Sequence, residues 1–266
     1  MTLIVGLGLI VGIIMALTGA GGGILAVPLL VFGLQMSISE AGPIGLIAVG
    51  VSASIGAALG LKERIVRYRA ALLMAGMGGV LSPAGVWLAK RTDAAWLNII
   101  FAGVLLFVAW RSLKQANDDT PKCGASDDDT LPCVRSKDDG RFIWNTRCAR
   151  ALIISGGVAG LLSGLLGVGG GFVMVPSLKR YSDLNTQSII ATSLAVTALI
   201  AASGVIFSAS TGGIDWNIAL PFAGGAVVGM LGGRIVSRYL KSAHLQKGFA
   251  VIAAAVAVGM FMKSLV

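Results

Sequence analysis

The chain has 266 residues, of which 56% are hydrophobic and 12% charged, and its mean hydropathy is +0.87. A soluble domain of this size carries about twice that charged fraction, so the composition excludes an ordinary soluble protein. The net charge of +9 comes mostly from short loops beside apolar stretches. Such loops orient a chain and contact anionic membrane lipids, and no compact basic domain exists to bind nucleic acid.

Apolar stretches with almost no charged residue follow one another along the chain, at 3–33, 44–61, 70–89, 94–110, 151–178, 187–210, 214–233 and 248–262. Several reach the roughly 20 residues that a helix needs to cross a bilayer. They lack the two-residue alternation of a membrane barrel. The first stretch has no basic start and no clear cleavage site, so we interpret it as retained structure. The sequence predicts an all-α integral membrane protein.

An internal repeat organises the chain. The segment GLIVGIIMALTGAGGGILAVPLL, residues 8–30, matches GGVAGLLSGLLGVGGGFVMVPSL, residues 156–178, with ten of 23 positions identical at an offset of 148. The same offset continues downstream without a gap, for example from Gly56 to Gly204. The polar stretch between the halves has no counterpart and is typical of a solvated linker. We therefore predict a first repeat at 1–113, a linker at 114–147 and a second repeat at 148–266.

The first apolar stretch of each half is too long for one crossing. Residues 3–33 would form a helix of about 46 Å, against a hydrocarbon core of about 30 Å. The sequence TGAGGG in its middle disfavours helix. We predict that each half consists of a re-entrant or broken helical hairpin followed by three transmembrane helices. This arrangement puts 18 of the 21 basic residues on one side, which the positive-inside rule assigns to the cytoplasm together with the linker. Both termini are then periplasmic, and the two repeats are inverted.

The glycine motifs predict a binding site for an anion. An interrupted helix leaves unpaired N–H groups at the positive start of its second piece, and glycine lets a ligand approach them closely. Helix starts near Ile24 and Phe172 would supply such donors from both halves. Neighbouring hydroxyls would add to them. The alternative is that these glycines serve helix packing alone. The predicted substrate-binding residues are Thr18, Gly19, Gly21, Gly22, Gly23, Ser52, Ser54, Gly167, Gly169, Gly170, Gly171, Thr192, Ser193 and Thr197.

The same stretches are poor in reactive groups. The acidic residues near them, such as Glu40 and Asp215, fall at their ends. A buried proton relay and an enzyme active site both lack the side chains they require, so we expect no enzyme, no metal and no cofactor. The three cysteines, Cys123, Cys133 and Cys148, lie in or beside the linker without a CxxC pair. In a reducing cytoplasm we expect them to be free thiols.

Three segments carry a resemblance to a known family: TGAGGGILAVPLL at 18–30, GVGGGFVMVPSL at 167–178 and NTQSIIATSLAV at 185–196. With them the chain resembles the TauE/SafE family of sulfite and sulfonate exporters, although the long acidic linker departs from that pattern. The resemblance implies a secondary transporter in the inner (plasma) membrane of a bacterial cell that exports a small sulfur-containing anion such as sulfite or sulfoacetate. An anion channel, an importer of an organosulfur anion and a non-transporting scaffold are the alternatives, and a homodimer is left open.

Overall fold

The computed structural model describes residues 1–18, 23–117, 146–181, 186–210, 212, 214–237, 248, 253–260 and 262. In these residues the regular structure is helical, which confirms the predicted all-α class. The helices are α1 (Thr2–Thr18), α2 (Ala26–Gly33), α3 (Ile38–Lys62), α4 (Tyr68–Arg91), α5 (Ala94–Asn117), α6 (Thr146–Leu166), α7 (Gly171–Tyr181), α8 (Thr186–Ser210) and α9 (Trp216–Ser237). Residues 253–260 are helical as well.

The offset of the repeat reappears in the helix boundaries. Helices α3 and α8 each have 25 residues, and both their first and last residues lie 148 positions apart. Helices α4 and α9 begin at Tyr68 and Trp216, which are also 148 positions apart. Because the apolar pattern recurs at this offset, the equivalent described helices of the two halves begin at matching positions.

Helices from opposite halves pack pairwise through glycines. Helix α1 packs on α9 and α6 packs on α4. A side chain at Gly8 of α1 would overlap the carbonyl oxygen of Phe222 in α9. The equivalent residues of the other pair are Gly156 in α6 and Met74 in α4, and a side chain at Gly156 would overlap the Met74 carbonyl oxygen. Small residues at intervals of four let helix backbones approach this closely. The packing interpretation is therefore right for these glycines, which lie outside the two motifs.

Helices α3 and α8 pack against each other in the middle of the protein and run antiparallel. A methyl group at Gly60 would lie 2.9 Å from Ala191 Cβ, and one at Gly50 would lie 3.0 Å from Ala201 Cβ. Residue numbers therefore fall along one helix as they rise along the other. Antiparallel packing of two equivalent helices is what an inverted repeat requires. The orientation of either half in a membrane remains a prediction.

The first repeat begins with a hairpin around its glycine motif. Helix α1 ends at Thr18, residues 23–25 form a 3₁₀ turn, and α2 begins at Ala26. A methyl group at Gly33, the end of α2, would lie 2.6 Å from Leu7 Cδ1 in α1. Helix α2 therefore folds back along α1, as a broken hairpin requires.

Five described helices are long and apolar enough to cross a membrane: α3, α4, Cys148–Leu166 of α6, α8 and α9. The α6 segment precedes the second glycine motif, in the part predicted to be a hairpin arm. The hairpin prediction rests on the length of the first arm in the first repeat, which is shorter. Helix α6 is longer because it begins at Thr146, within the predicted linker.

Cys148, in the first turn of α6, differs from the sequence-based expectation. It is buried and disulfide-bonded, so the expectation that all three cysteines are free thiols is wrong for the structure. The other two cysteines of the sequence, Cys123 and Cys133, lie outside the described residues. The expectation rested on the reducing power of the cytoplasm, whereas pairing depends on which thiols the fold brings together.

Candidate functional site

The second glycine motif interrupts the chain between α6 and α7. Gly167, Gly169 and Gly170 adopt positive φ angles of 72°, 77° and 69°. Glycine adopts this left-handed conformation at little cost, whereas other residues are strained in it. The whole stretch from Gly167 to Gly171 is buried. The motif is therefore a break inside the protein and not part of a continuous lipid-facing helix.

The break leaves backbone donors at the start of α7. The N–H of Gly167 donates to the Ser163 carbonyl at 2.9 Å, while those of Val173 and Met174 donate to the Gly170 carbonyl at 3.1 and 3.4 Å. Within the described chain, the N–H groups of Gly171 and Phe172 form no hydrogen bond. These amides lie at the positive end of the α7 dipole.

The two glycine motifs meet in the interior. A methyl group at Gly23 would lie 2.8 Å from the carbonyl oxygen of Val168 and 3.0 Å from Val49 Cγ2. One at Gly169 would lie 2.6 Å from Val49 Cγ1 and 2.9 Å from Thr197 Cγ2. Val49 and Thr197 are equivalent positions of the two repeats. We call these five residues, Gly23, Val49, Val168, Gly169 and Thr197, the central layer.

The methyl group of Thr197 faces Gly169, and the same residue carries a hydroxyl. The residue is fully buried, and its Oγ1 has no hydrogen-bond partner among the described residues. A buried hydroxyl without a partner is unfavourable, so each such group in a native protein calls for an explanation. At Thr197 a bound ligand would supply such a partner.

The other predicted hydroxyls have different surroundings. Ser52 is buried and its Oγ has no partner in the described chain. The exposed Ser54 donates to the Gly50 carbonyl at 2.7 Å, and Ser193 donates to the Ile190 carbonyl at 2.8 Å. Thr192 Oγ1 accepts a hydrogen bond from the N–H of Arg67 at 3.1 Å. These last three hydroxyls satisfy backbone groups and do not converge on the glycines.

Some of the predicted site residues lie outside the residues that the structure describes. The backbone of Thr18 ends α1, but its side chain is not among the described groups, and Gly19, Gly21 and Gly22 lie between the described segments. Gly23 and the four predicted glycines of the second motif are the site glycines that the structure places.

Two kinds of residue near the site are not predicted from the sequence. Val49 carries no polar group, and only its offset of 148 from Thr197 indicates its position. Ser82 and Ser163 are fully buried, and their hydroxyls have no partner within the described helices. Their signal in the sequence is a lone serine in an apolar stretch, which is more often a residue that bonds to its own helix.

The central layer consists of backbone, two apolar side chains and one hydroxyl. In the described residues, no three His, Cys, Asp or Glu side chains lie together in a way that would hold a metal. Uncharged donors at a helix start stabilise negative charge but transfer no protons at neutral pH. The arrangement therefore suits binding of an anion better than acid–base chemistry.

Comparison with known proteins gives one family and several relatives. The model of the family "Sulfite exporter TauE/SafE" matches residues 4–260. A probable membrane transporter protein of Xylella fastidiosa strain 9a5c is 28% identical over 264 residues, which cover 98% of this chain and 94% of the relative. The probable membrane transporter protein YunE of Bacillus subtilis is 24% identical over 250 residues, 90% of this chain and 89% of the relative.

A probable membrane transporter protein of Methanocaldococcus jannaschii is also similar, with 27% identity over 224 residues, 81% of this chain and 76% of the relative. No solved structure matches the chain significantly. The family match covers both repeats, the names of the relatives describe transporters, and five described helices are long and apolar enough to cross a membrane. The chain therefore belongs to the TauE/SafE sulfite exporter family and is a membrane transporter.

Proposed function

We propose that this transporter exports a small sulfur-containing anion, such as sulfite, sulfoacetate or a related organosulfonate, and binds it at the central layer. The proposal rests on the contact between the two glycine breaks, together with the Thr197 hydroxyl and the amides of Gly171 and Phe172, which have no hydrogen-bond partner among the described residues. Amides at a helix start and a hydroxyl are donors that fit the oxygens of a sulfite or sulfonate group. The name of the matched family supports the choice of substrate class.

The membrane potential favours export of an anion. An inside-negative potential favours exit of an anion by about 2.3 kcal/mol per charge for each 100 mV. Export therefore needs no coupled cation and no titrating carboxylate in the central layer. Import would run against this potential and would require a coupling ion, so we keep an importer of an organosulfur anion as the second direction.

A secondary transporter is favoured over a channel by the packing of the central layer. Gly23 and Val168 are in direct contact, so no open passage separates the two breaks. A carrier binds its substrate while the path is closed on at least one side, and the inverted repeats would rock around that point. In a channel the same glycines would act as a filter and would pass unitary currents.

We place the chain in the inner membrane, with the linker in the cytoplasm and both termini in the periplasm. The support is the distribution of charge, because 18 of the 21 basic residues fall on the linker side of the proposed arrangement.

Substitution of Gly170 tests the site. Its φ is +69°, and a side chain there would start 2.6 Å from the Ala159 carbonyl oxygen. We expect Gly170→Leu to abolish efflux of labelled sulfite and sulfoacetate from proteoliposomes. The matched control is Gly76→Leu, because a side chain at Gly76 has no neighbour within 4 Å. Both variants are first checked for monodispersity in detergent. Normal saturable efflux by a folded Gly170→Leu variant would refute the central site, and large unitary currents would favour the channel.

A further inference from the structure

A cleft opens where α3 begins and where α4 and α6 end. Ser39, Gly42, Leu46, Val86 and Lys90 are among its lining residues. We call it the Lys90 cleft. Its rim carries the hydroxyl of Ser39 and the basic side chain of Lys90, both on exposed residues. A basic residue at the mouth of a cleft raises the local concentration of anions.

A buried hydroxyl lies next to two of the residues that line the cleft. A methyl group at Gly204 of α8 would lie 2.9 Å from Ser82 Oγ, 3.1 Å from Leu46 Cδ1 and 4.0 Å from Val86 Cγ2. Leu46 and Val86 line the cleft, so Ser82 lies directly behind two side chains of its wall. Ser82 is 0% exposed, and its Oγ has no partner in the part of the chain that the structure describes.

The residues around Ser82 lie on the same helices as the residues of the central layer. On α3, Leu46 precedes Val49 by one helical turn, and on α8, Gly204 follows Thr197 by seven residues, a rise of about 10 Å. The wall of the cleft also touches the second glycine motif, because a methyl group at Gly42 would lie 3.6 Å from Gly167 Cα. Two unpartnered buried hydroxyls, of Ser82 and Thr197, thus follow one another from the cleft inward.

The opposite end of the protein has the equivalent residues but different chemistry. Gly56 is the repeat counterpart of Gly204, and a methyl group there would lie 2.6 Å from Met230 Cε and 2.9 Å from Leu194 Cδ1. Met230 is the counterpart of Ser82, and Leu194 is the counterpart of Leu46. An apolar thioether therefore occupies the position that carries a hydroxyl at the other end.

Two polar contacts join the repeats at this opposite end. Arg234 of α9 donates to Glu63 at the end of α3 at 2.9 Å. The N–H of Arg67, before α4, donates to Thr192 of α8 at 3.1 Å. Both lie at the end of α3 that is remote from the Lys90 cleft.

From these observations we infer that Ser82 is a second anion-binding residue, on a path that leads from the Lys90 cleft to the central layer. Leu46 and Val86 form the gate in front of it, and the structure corresponds to a state closed at the Glu63 end. The ligand is a small oxyanion of the sulfite or sulfonate type, which accepts a hydrogen bond from the Ser82 hydroxyl. This inference rests on the proposed function, because it extends the path of the same anion.

Cysteine labelling tests the path without requiring transport. Ser82→Cys and its repeat counterpart Met230→Cys are made in the full chain, purified in detergent and treated with a small thiol reagent that carries a sulfonate. Peptide masses then report modification at each position separately from the natural cysteines. We expect position 82 to react about tenfold faster with the sulfonate reagent than with a cationic reagent of the same size, as in an electropositive cleft. Position 230 should react more slowly with both reagents.

Widening the gate provides the second variant. Leu46→Ala is combined in turn with Ser82→Cys and with Met230→Cys. We expect it to increase the rate of modification at position 82 and to leave the rate at position 230 unchanged. If Ser82→Cys does not fold, Val86→Cys at the inner end of the cleft should show the same preference for the anionic reagent. An unreactive position 82 with Leu46→Ala present, or equal rates with both reagents, overturns the inference. Loss of transport by Gly170→Leu would still support the central site in that case, so the two failures are distinguishable.

Discussion

Gly23 and Val168 lie in contact although they are 145 positions apart in the chain, and a methyl group at Gly23 would lie 2.8 Å from the Val168 carbonyl oxygen. This contact joins the breaks of the two repeats at one point. The equivalent residues Val49 and Thr197 flank it; Val49 is apolar, and the Thr197 hydroxyl has no partner in the part of the chain that the structure describes. The two equivalent residues at the centre therefore differ in side-chain chemistry.

Removing the Thr197 hydroxyl tests that asymmetry. Thr197→Val keeps the shape of the side chain and introduces the residue found at the equivalent position 49. We expect weaker anion binding, with the half-saturating concentration for efflux raised about tenfold, because a hydrogen bond to a charged group contributes about 1.5–3 kcal/mol. Efflux from proteoliposomes at graded sulfite and sulfoacetate concentrations measures the effect.

The control for this variant is Ser203→Ala. Ser203 also lies in α8, but its hydroxyl donates to the Ile200 carbonyl of its own helix at 2.7 Å. Its removal should leave the half-saturating concentration unchanged. Equal affinity of the wild-type protein and Thr197→Val would exclude the hydroxyl from the binding site.

Glycines at the interfaces between the halves should matter for stability. In Gly12→Ala the new methyl group would overlap the Ala226 carbonyl oxygen, and in Gly160→Ala it would overlap that of Gly78. Overpacking of this kind typically costs about 1–3 kcal/mol, so the melting temperature in detergent should fall in both variants. Gly103→Ala has no neighbour within 4 Å and should leave the melting temperature unchanged or raise it slightly. Equal melting temperatures for all three variants would contradict the observed helix contacts.

The ion pair between Glu63 and Arg234 should influence conformation more than stability. Its side chains are 49% and 28% exposed, and pairs exposed to this degree contribute about 0–1 kcal/mol. We expect Glu63→Gln to change the melting temperature little while it speeds thiol labelling of Met230→Cys several-fold, because the end of the protein near Glu63 opens more often. Lys62→Gln, one residue away, is the control. Unchanged labelling at position 230 would mean that the pair does not hold this end closed.

Cys148 connects the structure to the membrane orientation. If the linker is cytoplasmic, as we propose, Cys148 should be a reduced thiol in intact cells and should form its disulfide only after oxidation, because the cytoplasm is reducing. Gel-shift labelling of thiols after acid quenching of cells measures this state. A disulfide already present in growing cells, together with a linker accessible to an impermeant reagent added outside, would reverse the proposed orientation.

Much of the architecture could be predicted from the sequence because it depends on local properties. Long apolar stretches between charged loops predict membrane helices, and the glycine runs predict where they break; α1 ends at Thr18 and α7 begins at Gly171. The constant offset of 148 likewise predicts helices of matching length, as in α3 and α8. The length of α6 and the state of Cys148 were not predicted, since the first depends on the start of the helix and the second on a partner brought near by folding.

The sequence by itself determined the class of protein, the duplication and the positions of the breaks, because hydrophobicity, repetition and glycine content act within a segment. Only the tertiary structure decided that Gly23 meets Val168 and that Thr197 packs against Gly169. It likewise decided that Thr192 and Ser193 bond to backbone groups, whereas the Thr197 hydroxyl has no partner among the described residues. It also decided that Ser82 lies behind the Lys90 cleft. The reason is geometric: the three hydroxyls occupy one apolar helix, and which of them faces a partner depends on how α8 packs against α3, α4 and α6.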